Sequence, residues 1–437
     1  MVTQASVLQQ LAAIAGPEHA GPPQAEEYAV DGLPPSAVVR PGSYEQAAEV
    51  LRYANSERLA VIPRGAGTLM ALGNVPRAYD IALCLSRLDE IVEHEPADLT
   101  VTCQAGISLG RLREHLAAAG QMAPLDPTLP AQATAGGVLA ANAYGPYRLA
   151  YGTARDFTIG MRVATADGRI TRAGGRVVKN VAGYDLCKLY IGSLGTLGVI
   201  LEATFKVRPR PREEGELAFA LPGAADACGV AAEAERRGLS VAAAQVLNPA
   251  AAQALGLSAG AAIVLVLNLA GTPAAVARSA REIAALAAER GGRAATSPPQ
   301  AGAQHPPEAD PPPAGAGAPT GDSRAVVGWL SVLPSRVPEA MAAIEASAAD
   351  ARTSAYPTAG VLRVRCTTGD GGETLRRLRE AAREAGGRLV IESCAPALKR
   401  DLDVFGDPPA AFELMRRVKQ QFDPNGILSP GRYVGRL

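Results

Sequence analysis

An apolar run that breaks into a glycine-rich turn is the feature that most constrains this chain. Residues 61–68 read Val-Ile-Pro-Arg-Gly-Ala-Gly-Thr, and residues 59–62 predict a short buried strand. The apolar spacing of residues 47–54 predicts an amphipathic helix before that strand. The two glycines tolerate a positive φ, and successive amides in such a turn can converge on an anion beside Arg64 and Thr68. The turn therefore suits a diphosphate, although most glycine turns after strands only reverse the chain.

Further segments of small residues follow in order along the chain. Residues 133–145 read Ala-Thr-Ala-Gly-Gly-Val-Leu-Ala-Ala-Asn-Ala-Tyr-Gly, and such small side chains let the backbone lie against a flat ligand. An alternating strand is predicted at 159–165, with an Asp-Gly turn at 167–168. Glycines recur in Ile-Gly-Ser-Leu-Gly-Thr-Leu-Gly-Val-Ile at 191–200. The segment at 422–432 reads Phe-Asp-Pro-Asn-Gly-Ile-Leu-Ser-Pro-Gly-Arg.

These segments, in this order, resemble the vanillyl-alcohol-oxidase (PCMH-type) family of flavoproteins. The resemblance covers residues 30–210 and 395–437. Within the family the chain is most similar to the smaller FAD-binding subunit of bacterial glycolate oxidases. Residues 175–186, Gly-Arg-Val-Val-Lys-Asn-Val-Ala-Gly-Tyr-Asp-Leu, carry most of that likeness, and residues 328–332 support it weakly. The resemblance implies an α+β fold, in which a two-subdomain PCMH-type FAD-binding domain carries a ferredoxin-like α+β cap domain.

The composition along the chain divides it into four parts. We expect a leading helix in residues 1–30, the FAD-binding domain in 31–212, the cap in 213–394, and a segment at 395–437 that returns to the FAD-binding domain. The predicted cap alternates strands at 217–221, 262–269, 326–333, 360–366 and 389–393 with helices at 227–237, 274–290, 337–349 and 373–385. Its Pro, Ala and Gly-rich insert at 297–323 predicts a flexible loop rather than a docking segment, because it has little apolar surface to bury.

The resemblance assigns FAD binding to residues from five segments of the sequence. These residues are Arg64, Gly65, Ala66, Gly67, Thr68, Ala133, Thr134, Gly136, Gly137, Asn142, Thr153, Asp156, Gly198, Val199, Ile200 and Arg432. The turn at 64–68 is expected to hold the pyrophosphate, residues 133–137 and Asn142 the isoalloxazine and ribityl chain, and residues 198–200 the adenosine end. Gly137 can equally form a tight turn, and Asn142 can equally cap a helix. Several relatives attach FAD covalently through a histidine where Thr68 stands, so the threonine predicts non-covalent FAD.

The histidines of this chain do not match those of the relatives that oxidise 2-hydroxy acids. Those relatives carry cap histidines that ligate a metal and handle the substrate proton. Of the four histidines here, His19 and His305 lie near the N-terminus and in the insert. His94 is expected in a solvated turn before Pro96, and His115 on the polar side of a helix at 109–118. No catalytic residue and no metal ligand is therefore predicted, and this chain alone is expected to oxidise glycolate slowly.

Two arginines of one predicted strand have alternative interpretations. Arg363 and Arg365 alternate on one face and could hold a carboxylate. Solvated strand positions are the favoured interpretation, because the chain is rich in arginine.

The resemblance leaves three functions open. In the favoured one, the chain is the FAD-binding subunit of a glycolate oxidase or dehydrogenase complex that converts glycolate to glyoxylate. It would relay electrons or support assembly beside a catalytic flavoprotein subunit and an iron–sulfur subunit. The alternatives are a stand-alone FAD-dependent oxidoreductase of another 2-hydroxy acid or alcohol, and a non-catalytic flavin-binding scaffold. Fold analogy alone does not choose among them.

Composition sets further bounds on partners and location. The 43 basic and 43 acidic residues balance, so charge gives no case for nucleic acid or an anionic membrane as partner. No secretory signal or spanning apolar run is recognised, and we expect a cytoplasmic protein that meets the inner membrane, if at all, through its partners. The six cysteines are widely spaced without a C-x-x-C pair, which predicts reduced core thiols and neither an iron–sulfur cluster nor zinc in this chain.

Overall fold

The computed structural model describes residues 3–23, 25–175, 183–257, 260, 262–295, 324–369 and 372–437. Most of the segment at 175–186 that carries the glycolate oxidase likeness lies outside these residues. The predicted loop at 297–323 also lies outside them.

The first sheet contains the strand that leads into the glycine-rich turn. It has four strands in the order β1-β2-β4-β3, parallel except for the β1–β2 pair: β1 (Ala20–Gly21), β2 (Ala37–Val39), β3 (Val61–Arg64) and β4 (Ile81–Cys84). Helices α1 (Gln4–Ala15) and α2 (Tyr44–Glu57) share one apolar core with this sheet. Helix α2 begins where the Ser43 hydroxyl accepts a hydrogen bond from the Gln46 amide, and it ends at Arg58 in the left-handed conformation.

The second sheet is antiparallel and packs on the same core. Its order is β5-β6-β10-β8-β9, with β5 (Ile91–Glu95), β6 (Thr100–Gln104), β8 (Thr158–Ala164), β9 (Ile170–Gly174) and β10 (Val199–Lys206). A two-stranded ribbon pairs β7 (Gln121–Met122) with β11 (Arg208–Pro209). The helices between these strands are α3 (Leu109–Ala118), α4 (Ala135–Ala141), α5 (Arg148–Tyr151), α6 (Ala154–Phe157) and α7 (Cys187–Tyr190). Leu51, Leu83 and Phe205 are fully buried in one apolar cluster that joins both sheets.

The cap is one eight-stranded antiparallel sheet made of two ferredoxin-like β-α-β-β-α-β modules. The first module contains β12 (Glu213–Leu221), α8 (Ala224–Arg236), β13 (Val241–Leu247), α9 (Pro249–Ala254), β14 (Ile263–Gly271), α10 (Pro273–Glu289) and β15 (Arg293–Ala294). The second contains β16 (Ala325–Ser331), α11 (Val337–Ser347), β17 (Arg352–Tyr356), β18 (Val361–Thr367), α12 (Glu373–Glu384) and β19 (Arg388–Ser393). The strand order β15-β12-β14-β13-β17-β18-β16-β19 shows that β13 and β17 join the modules.

The cap prediction was incomplete at these joining strands. Neither β13 nor β17 was expected from the sequence, although both lie in the middle of the sheet. Five other predicted strands and four predicted helices are present with shifted ends, and together they confirm the ferredoxin-like expectation for this part of the fold.

The last segment of the chain packs against the first sheet. After α13 (Pro396–Asp401) and α14 (Phe412–Phe422), the Val61 amide donates to the Ile427 carbonyl at 2.8 Å, and the Ser429 amide donates to the Val61 carbonyl at 2.9 Å. The buried Lys419 ammonium donates to the Asp423 carboxylate and to the Thr196 carbonyl. The C-terminal residues thus run beside β3 and reach the glycine-rich turn.

Five short 3₁₀ helices complete the described elements: Pro17–His19, Ala25–Tyr28, Pro334–Arg336, Pro357–Ala359 and Val434–Arg436. A helix long and apolar enough to cross a bilayer does not occur in the described ranges.

Candidate active site

The turn after β3 presents a row of backbone donors. Within the described part of the chain, the amides of residues 65–69 donate to no other protein group. Gly67 has φ +81°, a backbone conformation that would be strained in a residue with a Cβ atom. A run of successive free amides is the arrangement that binds a phosphate or diphosphate.

Close approaches at two glycines pack the turn against the start of α4 and pack α4 against Ala105. A Cβ atom on Gly65 would lie 2.0 Å from the Thr134 hydroxyl oxygen, so no larger residue fits there. A Cβ atom on Gly136 would lie 2.7 Å from the Ala105 side chain. The Thr134 hydroxyl caps α4 by accepting from the Gly137 amide at 3.3 Å. Packing therefore favours glycine at positions 65 and 136.

These segments line a cavity of about 770 Å³, hereafter the main cavity. Most of the residues predicted to bind FAD line it together: Arg64, Gly65, Gly67, Thr68, Thr134, Gly136, Gly137, Gly198, Val199, Ile200 and Arg432. The sequence did not single out its other walls, which include Pro63, Leu69, Met70, Leu85, Ala140 and Leu194.

The remaining predicted residues lie elsewhere. Ala66 points to solvent, and Ala133 is packed in the apolar core. Thr153 and Asp156 form a capping box on α6, in which the Asp156 carboxylate accepts from the Thr153 amide at 2.7 Å, so the two residues bond to each other. Asn142 ends α4 in the left-handed conformation and lines a neighbouring pocket instead.

Two buried arginines give the main cavity positive charge. Arg64 packs over the Tyr28 ring, with its guanidinium carbon 4.4 Å from the centroid, and donates to the Glu27 carbonyl. Its Nε atom is buried without a hydrogen-bond partner among the described residues, and so is Nη1 of Arg432. Burial lowers the pKa of Arg432, which is 3% exposed. Together with the free amides, these donors fit the two phosphates of a dinucleotide cofactor.

Arg432 also belongs to a buried network that connects the C-terminal segment to the start of the chain. Asp31 accepts from the fully buried Lys399 ammonium at 2.7 Å, and its second oxygen lies 4.0 Å from Arg432. Arg432 donates to the Met70 carbonyl at 2.9 Å. Burial lowers the pKa of Lys399, and Asp31 opposes that change. One carboxylate thus compensates two buried cations at the wall of the main cavity.

A second pocket, hereafter the interdomain pocket, lies between the FAD-binding domain and the cap. Its volume is about 460 Å³, and it shares Leu69 and Ala141 with the main cavity. The FAD-binding domain contributes Thr128, Asn142 and Tyr144, and the cap contributes Trp329, Tyr356, Arg363 and Glu392. Burial raises the pKa of Tyr144, so its phenol keeps its proton near neutral pH.

The charged pair of this pocket comes from two strands that flank β16. Arg363 in β18 is paired directly with Trp329, whose side chain therefore lies on the same face. Arg363 donates from Nη2 to Glu392 Oε2 at 2.8 Å and from Nη1 to the Thr128 hydroxyl at 3.3 Å. The interpretation of Arg363 as a solvated strand position is wrong, because its side chain is only 16% exposed and ion-paired. The sequence held no local signal for Glu392.

The prediction for His94 is wrong, whereas His115 lies in the predicted helix. His94 lies in β5 rather than in a solvated turn, and its Nδ1 lies 3.1 Å from Nε2 of His115. His94 Nε2 also lies 2.9 Å from the Gln121 side-chain oxygen. The described ranges contain no cluster of three or more His, Cys, Asp or Glu side chains placed to hold a metal ion.

The cysteines are consistent with core positions. Five of them are buried and Cys228 is half-buried. Burial raises the pKa of the Cys103 and Cys228 thiols to about 12 each.

Comparison with known families identifies two parts of the chain. Residues 35–174 match the family described as the FAD binding domain, and residues 397–433 match the C-terminal domain of FAD linked oxidases. These matches cover the glycine-rich turn, α4 and the segment that contains Arg432.

Curated relatives match half of the chain or less. Glycolate oxidase subunit GlcD of Bacillus subtilis (strain 168) is 34% identical over 224 residues, which are 50% of this chain and 47% of that protein. Glycolate oxidase subunit GlcE of Escherichia coli (strain K12) is 38% identical over 177 residues, 40% of this chain and 50% of that protein. The D-lactate dehydrogenase of Archaeoglobus fulgidus is 34% identical over 229 residues, 50% and 51% of the two chains. The matches span about half the length of these relatives.

Solved structures share the fold over nearly the whole chain. p-Cresol methylhydroxylase aligns with a TM-score of 0.73 at 17% identity, over 99% of this chain and 97% of that chain. Alkyldihydroxyacetonephosphate synthase aligns with a TM-score of 0.75 at 17% identity, over 98% and 86%. This likeness confirms the predicted fold class, and the family matches confirm FAD as the cofactor. The chain therefore contains a PCMH-type FAD-binding domain and the C-terminal domain of FAD linked oxidases.

Proposed function

We propose that this chain is an FAD-dependent oxidoreductase subunit that acts on a small 2-hydroxy acid in a complex of the glycolate oxidase kind. The observation that carries the proposal is the interdomain pocket, which adjoins the main cavity and contains one arginine and one carboxylate. Relatives named for glycolate, D-lactate and D-2-hydroxyglutarate, all 2-hydroxy acids, support the substrate class.

The residues of the main cavity would hold FAD without a covalent bond. The amides of residues 65–69 and the Arg64 guanidinium would bind the diphosphate, and Gly136 and Gly137 would leave room for the ring system. Among the described residues that line this cavity there is no histidine, cysteine or tyrosine that could attach the cofactor. Bound FAD supplies a two-electron acceptor for hydride from the substrate carbon. Acid precipitation of the purified holoprotein should release its flavin into the supernatant.

The interdomain pocket would bind and orient the acid. Arg363 is its one cation among the described lining residues and is placed to attract the substrate carboxylate. Trp329 and Tyr356 form apolar walls that exclude water from the reacting carbon. Because the pocket is formed by both domains, its shape depends on how the cap rests on the FAD-binding domain.

A second candidate function is electron relay or assembly without substrate oxidation by this chain. The observation that favours it is that no histidine lines the interdomain pocket in the described part of the chain. In that case a catalytic flavoprotein subunit would oxidise the acid, and an iron–sulfur subunit would pass the electrons on. The two candidates share a complex but differ in where substrate reacts.

Two measurements test the proposal. The tagged chain, isolated from its own organism, should retain a second FAD-linked oxidase and a cysteine-rich iron–sulfur protein in fixed stoichiometry. Recovery of the chain alone, with full activity, would contradict the subunit role and support a stand-alone enzyme. Anaerobic addition of glycolate or D-lactate to the purified chain should bleach its flavin band, whereas a band that persists with every 2-hydroxy acid would support the relay role.

A further inference from the structure

We propose that Glu392 accepts the proton of the substrate hydroxyl in the interdomain pocket, and that Arg363 is the residue that positions it. The inference rests on the proposed function, because it assigns the proton acceptor of that same reaction. No residue of this chain was predicted for that role, since the relatives' cap histidines have no counterpart among its four histidines.

The backbone directs Glu392 toward the pocket by an irregularity of the sheet. Val327 is paired with Ser393, whereas the next residue, Gly328, is paired with Ile391. Glu392 is therefore the extra residue of a β-bulge, a feature that turns a side chain out of the regular alternation and is common beside active sites. A Cβ atom on Gly328 would lie 2.7 Å from the Val390 carbonyl, so glycine permits this close pairing.

The carboxylate of Glu392 has one occupied and one available oxygen. Oε2 accepts from Arg363 at 2.8 Å, and the side chain is only 5% exposed. Oε1 is buried and accepts no hydrogen bond from any described residue. A buried carboxylate oxygen without a donor is costly, so a donor that arrives with the substrate would remove this cost. A hydroxyl group is such a donor.

Glu392 is better suited to accept a proton than Tyr144, Asn142 or Thr128, which line the same pocket. Glu392 is the only carboxylate among the described residues that line it. Tyr144 keeps its own proton because burial disfavours the phenolate, so it is suited to donate a hydrogen bond instead. Asn142 and Thr128 do not titrate in this range. The pocket that Glu392 lines borders the main cavity, because Leu69 and Ala141 line both spaces.

The proton and electron balance of the step is complete with FAD as the oxidant. The substrate O–H bond breaks and its proton passes to Glu392 Oε1. The adjacent C–H bond breaks, and its hydride, with two electrons, passes to FAD. The O–H electron pair forms the second bond of the C=O group, so the products are a 2-oxo acid, reduced FAD and protonated Glu392. The proton later leaves to solvent.

The test measures equilibrium binding as well as turnover. The FAD-loaded protein is reduced beforehand, so that a hydroxy acid binds without reacting, and is titrated by calorimetry with glycolate and with acetate. The ratio of the two Kd values reports the contribution of the hydroxyl group. Glu392→Gln keeps the shape and the acceptor for Arg363 but loses the charge. Glu202→Gln is the matched control, because Glu202 is a buried carboxylate paired with Arg162 at 3.1 Å outside both cavities.

We expect the wild-type protein to bind glycolate more tightly than acetate. Glu392→Gln should reduce this preference about tenfold, because a hydrogen bond to a charged acceptor is about twice as strong as one to a neutral acceptor. Flavin bleaching by glycolate should slow about 10²–10⁴-fold in Glu392→Gln. Glu202→Gln should leave both quantities unchanged.

An unchanged preference in Glu392→Gln, or no preference in the wild-type protein, would overturn the assignment of Glu392. A bleaching rate unaffected by Glu392→Gln would overturn it as well. If the wild-type flavin is never bleached but the preference for glycolate is lost in Glu392→Gln, the oxidoreductase function fails while Glu392 stands as the acceptor of the hydroxyl hydrogen.

Discussion

Replacing Gly65 with alanine should separate the glycine-rich turn from α4 and weaken FAD binding. The added Cβ would lie 2.0 Å from Thr134 Oγ1, whereas Cβ contacts under 3.0 Å are essentially never seen. The turn or the threonine must therefore move by at least about 1 Å, the difference between these two distances. Overpacking of this kind costs about 1–3 kcal/mol. If the cost falls on the FAD-bound geometry, the Kd of FAD should rise about 5- to 150-fold.

The assay is a fluorescence titration of the apoprotein with FAD, combined with thermal unfolding of the apoprotein. Gly21→Ala is the control, because its Cβ would meet no atom within 4 Å. Adding Thr134→Ala to Gly65→Ala should recover part of the affinity, since it removes the oxygen at 2.0 Å but leaves the Thr134 Cβ position at 2.9 Å. An FAD affinity of Gly65→Ala within about twofold of wild type, with unchanged unfolding, would refute the reasoning.

Three further predictions concern other parts of the molecule. Gly67→Val should yield protein without bound flavin, because a β-branched residue at φ +81° costs about 1–3 kcal/mol, and stoichiometric FAD in the absorbance spectrum would contradict the turn geometry. Labelling of the half-buried Cys228 in the folded protein should keep rising above pH 9 rather than level off there, since a raised pKa lowers the thiolate fraction; mass spectrometry after pulsed alkylation would show it. Asp31→Asn should destabilise the fold by about 3–5 kcal/mol in chemical denaturation, because it leaves the buried Lys399 and Arg432 without their carboxylate, and adding Lys399→Met should recover part of the loss; equal destabilisation by the single and double variants would contradict this.

Most of the residues predicted to bind FAD line the main cavity, and their sequence signals are local. The turn at 64–68 follows a strand directly, and its glycines are required by a positive φ at Gly67 and a close contact at Gly65. Each requirement limits the residue type at one position, and such limits are visible in a single sequence. The predicted residues Thr153 and Asp156 belong to a helix cap, whose sequence pattern does not by itself indicate a ligand.

The cap strand β13 could not be predicted, since its residues favour another conformation. The segment Val241–Leu247 contains three consecutive alanines, which prefer helices. Pairing with β14 on one side and β17 on the other overrides that preference.

The interdomain pocket could not be predicted because its parts meet only in three dimensions. Arg363 and Glu392 are 29 residues apart and lie on strands separated by β16. A bulge at Glu392 turns its carboxylate toward Arg363, and bulges have no reliable signal in one sequence. In the sequence alone, Arg363 therefore resembles a solvated arginine, and Glu392 has no local signal.

Anaerobic reduction of the purified, FAD-loaded chain by a 2-hydroxy acid tests the central claim most directly. The claim is that this chain holds FAD in the main cavity and oxidises its substrate in the adjoining interdomain pocket. Glycolate, D-lactate and D-2-hydroxyglutarate would each be added while the visible flavin band is recorded, with acetate as the control. The account predicts that at least one of these acids bleaches the band and that acetate does not. A band that persists with every acid, in protein with a full complement of FAD, would contradict the account.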